Sequence, residues 1–179
     1  MEFAEFSTIW SIRGAVACYF IALGMLLWSQ QRGKECTNRA RGFWTMGCAL
    51  CILHVLCAFH FFHHWSHAAA WQHTAEQTRL VVGWEWGNGL FFNYAFVLFW
   101  VVDVVYWWFR PREHGRRNGL LKWITHGFML FIIINATIVF ESGAIRWIAT
   151  ALFSGLLGVW LICESRRANS SRPTKDRDL

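Results

Sequence analysis

The chain has 179 residues, enough for one ordinary domain, yet 55% are hydrophobic, only 16% are charged, and 13 Trp and 16 Phe stand among them. That balance is too apolar for a soluble domain of this size. The net charge of +6 and a pI near 9.3 do not mark a nucleic-acid binder, because the basic residues are scattered over short stretches between apolar runs.

A run of about 20 apolar residues reads as a transmembrane helix, since a rise of 1.5 Å per residue covers roughly 30 Å of hydrocarbon. Five such runs follow one another: Ile9 to Trp28, Phe43 to Trp65, Leu90 to Phe109, Trp123 to Phe140 and Ala144 to Cys163. The first ten residues carry two acids and no basic stretch, so no cleavable signal peptide is read and the first span is expected to stay in place. The expected fold is all-α, a polytopic bundle of five transmembrane helices over residues 1–165, followed by a flexible basic tail at 166–179.

Basic residues orient the bundle. Arg32, Lys34, Arg39 and Arg41 lie between the first two spans, Arg110, Arg112, Arg116, Arg117 and Lys122 between the third and fourth, and Arg166, Arg167, Arg172, Lys175 and Arg177 in the tail. Those connections hold fourteen of the seventeen Lys and Arg. By the positive-inside rule they face the cytoplasm, which places the N-terminus outside and the C-terminus inside. A multi-pass protein of the bacterial inner (cytoplasmic) membrane is expected. Its partners are the lipid bilayer and other membrane subunits, with no nucleic acid. Trp28, Trp44, Trp107, Trp108 and Trp123 then mark the inner interface, and Trp10, Trp65, Trp84, Trp86 and Trp147 the outer one. Cys18, Cys48, Cys51, Cys57 and Cys163 fall within spans, where packing is their expected role; Cys48 and Cys51 form a CxxC spacing with no second pair to complete a zinc set.

Six of the eight histidines fall between His54 and His73. On one continuous helix at 100° per residue, Cys57, His60, His63, His64 and His67 share an arc of about 120°. The alanines after His67 predict that this helix continues to about Arg79, with His73 and Glu76 a turn beyond the membrane. Imidazoles at i, i+3, i+4 and i+7 suit convergence on a metal. Metal ligands are therefore expected among His60, His63, His64, His67, His73 and Glu141, with Glu85 and Asn93 at the same depth able to orient them.

A second polar set runs deeper. Asp103 and His126 lie at similar depth and are expected to pair, since a carboxylate near mid-bilayer costs roughly 2.5 to 3.5 kcal/mol on insertion scales. Asn135 is level with His54. Together with His60 these groups form a ladder that suits a proton relay or plain interhelical hydrogen bonds.

Two resemblances attach to these residues. His60, His63 and His64 spell HxxHH, which resembles one box of the membrane fatty acid hydroxylase and desaturase superfamily, whose di-iron centre is built from several such boxes. The resemblance covers five residues, the other boxes are missing and this one lies on the outward side, so that activity is not carried over. The phrases AFHFFHHWSHAAA, NYAFVLFWVVDVVYWWFRP and HGFMLFIIINATIVFESGAIRW are similar to small polytopic membrane proteins of planctomycete bacteria, a resemblance that brings no activity with it.

The expected function is an integral membrane protein holding copper, iron or zinc at the outer leaflet, where a redox-active ion suits electron transfer or oxidation of a lipid-soluble substrate. The alternatives are a b-type haem held between His54 and His126, and a non-catalytic or proton-relaying membrane subunit without metal.

Overall fold

Apolar segments with no water to satisfy their peptide groups fold as helices. The computed structural model describes residues 3–32, 34–139 and 143–170, and their regular elements are all helical. In chain order these are α1 (Phe3–Arg32), α2 (Lys34–Phe61), α3 (His67–Val82), α4 (Gly89–Phe109), α5 (Pro111–Gly115), α6 (Gly119–Ile134) running into a π-helical turn (Asn135–Val139), and α7 (Ala144–Ser170). Among the described residues, four helical stretches are long and apolar enough to cross a membrane: Phe3–Leu27, Thr37–Phe61, Gly89–Phe109 and Gly119–Val139. In α7 the apolar stretch is shorter, Arg146–Val159. Phe140, Glu141 and the tail from Ser171 lie outside the described residues.

Local chemistry sets the boundaries. Pro111 opens α5, where its missing N–H costs nothing. The Asn118 side chain caps α6 by accepting from Leu120 N at 3.1 Å.

The expected continuation of the second helix to Arg79 does not form. Phe62 N and His63 N both donate to the Ala58 carbonyl, at 3.0 and 3.1 Å, and Trp65 N reaches back to Phe59 O at 2.9 Å. His64 and Trp65 adopt positive φ values of 47° and 58°, the left-handed conformation that ends helices. Ser66 then caps a new helix, accepting from Ala69 N at 3.2 Å. Two helices joined by a tight turn replace one long one.

The chain packs as an antiparallel α1–α2 hairpin, with α4 antiparallel to α2 and α6 packed against α4 and touching α2 through His126 and Trp44. Tyr19, Trp44 and Trp100 form the centre, all but fully buried, with ring centroids 5.3 to 5.9 Å apart. Gly47 makes room for them: a Cβ there would meet Trp100 at 2.8 Å and the Ala15 carbonyl at 3.2 Å. Trp44 and Trp107 are thus core residues and not members of an inner girdle. Trp10, Trp65, Trp84, Trp86, Trp108, Trp123 and Trp147 are exposed, as a girdle requires. Cys18, Cys48, Cys51 and Cys57 are free thiols, with Cys48 and Cys51 buried in the packing. Phe153 brings α7 against Phe20 of α1 at 4.9 Å.

Candidate functional site

The turn at His64–Ser66 folds α3 over one end of the bundle, and beneath it lies a cavity of about 820 Å³. Thr8 and Ile12 of α1, His54 and Phe59 of α2, His63 of the turn after it, Gln72 and His73 of α3, Asn93, Tyr94 and Trp100 of α4 and Ile133 beside the π turn line it. A volume of this size holds a small molecule, and mostly apolar walls with a few convergent polar groups are the usual makeup of such a site. Gly87 closes the α3–α4 loop against the face of Trp71, where a Cβ would lie 2.3 Å from the indole. The Trp71 indole N–H donates to Asn88 Oδ1 at 3.3 Å, which ties the loop to α3.

Because α2 stops at Phe61, the predicted imidazole seam is dispersed. His63 and His73, from different elements, approach with ring centroids 5.4 Å apart. Burial, with His73 and His64 adding to it, holds the His63 imidazole below its ordinary pKa. His67 is exposed and turns to α4, its Nδ1 3.0 Å from the Tyr94 hydroxyl. His60 is exposed and packs edge-on against Phe61, and His64 is exposed on the turn. Glu85 is exposed in the α3–α4 loop, where its charge is felt by Arg79, already paired with Glu76 at 2.6 Å. Asn93 reaches the cavity and Glu85 does not line it. Glu141 lies outside the described residues. Among the described residues, no three His, Cys, Asp or Glu side chains form a group that could hold a metal ion.

Deeper in the cavity, His54 is fixed from behind. Its Nδ1 is 2.9 Å from the Thr8 carbonyl, which also accepts from the Ser11 hydroxyl at 3.0 Å. A carbonyl can only accept, so Nδ1 carries the proton. Asn135 is not its partner: the Asn135 amide donates to Phe131 O at 2.7 Å within its own helix.

The inner polar set is rearranged as well. The carboxylate of Asp103, only 6% exposed, is paired with the Arg117 guanidinium and lies 3.3 Å from His114 Nε2. The segment after Pro111 folds back into the bundle end to deliver both. His114 stacks flat on Trp107 with centroids 4.4 Å apart, and Arg117 lies over the Tyr106 ring at 4.5 Å. His126, the expected partner of Asp103, instead meets the edge of Trp44 at 5.7 Å, and its Nδ1 is buried with no hydrogen-bond partner among the described residues. His126 does not line the cavity that His54 faces. Arg117 was legible only as a topology marker; a carboxylate within a span, with a basic connection starting seven residues on, was the available signal.

Comparison with protein-family models, with curated proteins and with solved structures finds no match.

Proposed function

We propose that this chain is a five-span protein of the bacterial inner membrane, N-terminus outside and C-terminus in the cytoplasm, that binds a small lipid-soluble molecule in its outer half. The observation that carries this reading is the cavity of about 820 Å³ under α3, apolar along most of its wall and bordered by His54, His63, His73 and Asn93. Lipid-soluble compounds reach such a space from the bilayer, and the imidazoles supply the few directional contacts that fix orientation. The charge bias of the connections supports the orientation.

Mass spectrometry of small molecules extracted from detergent-purified protein tests this, with Ala58→Phe, which fills the cavity from α2, as the comparison. The expected result is one compound near one equivalent, reduced about tenfold by the substitution. No retained compound, or equal retention by a folded Ala58→Phe protein, would overturn it.

A second reading is favoured by the approach of His63 to His73. Two imidazoles suit copper, iron or zinc, with water or ligand atoms completing the shell. Metal analysis of the same preparation checks it: about one equivalent, lost in both His63→Ala and His73→Ala, supports a metal, and less than about one-tenth, unchanged by either substitution, removes it.

A further inference from the structure

Resting on the cavity reading, we infer that the molecule taken up is a lipid-soluble phenol whose hydroxyl donates to Nε2 of His54. The inference begins with the tautomer. With Nδ1–H committed to the Thr8 carbonyl, Nε2 of the neutral ring keeps its lone pair. It makes no hydrogen bond among the described residues, and the ring borders the cavity. The backbone carbonyl of α1 therefore both orients the imidazole and leaves its free nitrogen an acceptor.

The surroundings select the donor. Ile12, Ala15, Val16, Val97 and Trp100 make up much of the apolar wall of the space that His54 borders. The Trp100 indole nitrogen is itself buried and does not open on the space. An acceptor set in such a wall favours a ligand that brings one hydrogen and otherwise presents apolar surface, because an unpaired imidazole nitrogen facing an apolar ligand is penalised. The aromatic lining chooses a ring over an alkyl chain: Phe59, Phe62, Tyr94 and Phe96 offer faces and edges to a flat guest. From His54 to Phe61 the helix rises by roughly 10 Å, so the far end of the guest comes under α3, where His63 and His73 stand.

Isothermal titration of detergent-purified protein with para-hexylphenol and with its methyl ether, para-hexylanisole, each against protein-free detergent, tests the inference. The phenol is expected to bind about tenfold more tightly than the ether. In His54→Asn the side-chain amide can still donate to the Thr8 carbonyl while Nε2 is deleted, and the two compounds should bind equally. Should that variant fail to fold, nitrogen NMR of labelled histidine in the unsubstituted protein reads the same contact: the His54 Nε2 resonance should move with the phenol and stay with the ether. Equal affinities in the unsubstituted protein, a preference that survives His54→Asn, or an unmoved resonance would overturn the inference and leave the cavity reading standing. Failure of both compounds to bind would remove both. A Soret band in the purified protein that disappears in His54→Asn would assign Nε2 to a haem iron and overturn the phenol.

Discussion

Asp103 is the one carboxylate buried among the described residues of the bundle, and it is accommodated because two long side chains from the following segment reach it. Arg117 is itself only 10% exposed, so Asp103→Asn leaves a guanidinium buried without its counter-charge. Removal of one member of such a pair costs about 3 to 5 kcal/mol. Chemical unfolding in mixed micelles should show a loss of that size for Asp103→Asn and a much smaller one for Asp103→Asn combined with Arg117→Met; equal losses would show that the pair is not what is being broken. His63 makes a pH-dependent contribution of definite sign. Burial holds its native pKa below the ordinary value of 6.5, so the unfolded chain takes up the proton first. Stability from this group is therefore full above that ordinary value and declines as pH falls through it toward the lower native pKa. Thermal melts between about pH 7.5 and 5.5 should fall with acid, and less so in His63→Phe. An unchanged slope in the variant would exclude His63 as its source.

At the scale of elements, α3 decides whether there is a cavity at all. Its start depends on Ser66, whose side-chain oxygen accepts from Ala69 N. Ser66→Ala should cost about 0.5 to 2 kcal/mol and speed amide exchange in the first turn of α3 while leaving α1 and α2 protected; unchanged exchange at Ala69 and Ala70 would show that the cap does not hold this end. The four long apolar stretches were readable from hydropathy because each is predominantly apolar across a bilayer's thickness. The turn between α2 and α3 was much harder to read. Its left-handed residues are His64 and Trp65, not Gly or Asn, and the segment carries no proline. The one local sign was a serine directly before HAAA, an N-cap ahead of good helix formers. Missing that sign made a single seam of His60, His63, His64 and His67, whereas the chain reversal pairs His63 with His73. The Asp103–Arg117 pair escaped for a related reason: Arg117 had an adequate explanation in topology, and fourteen residues of separation across a helical turn hid its reach.

At the scale of the whole molecule, the proposed topology of five crossings with the C-terminus inside fixes what reporter fusions should read. A fluorescent protein fused after Leu179 should light up in cells, and an alkaline phosphatase reporter placed in the α3–α4 loop at Gly83 should be active; the opposite pattern would reverse the proposed orientation. The cavity lies at the end of the bundle where α1 begins and α2 ends, so the same reporters decide which side of the membrane supplies its guest. The π turn at Asn135–Val139 bears on this architecture too. It lodges one residue beyond what regular winding would use, held by the Asn135 amide on Phe131 O and the Thr137 hydroxyl on Ile133 O. Excising Ile138 would let the segment rewind as plain α-helix, with the residues on either side of the excision keeping their faces. The turn thus stores a single surplus peptide that the helix could give up without re-facing its neighbours.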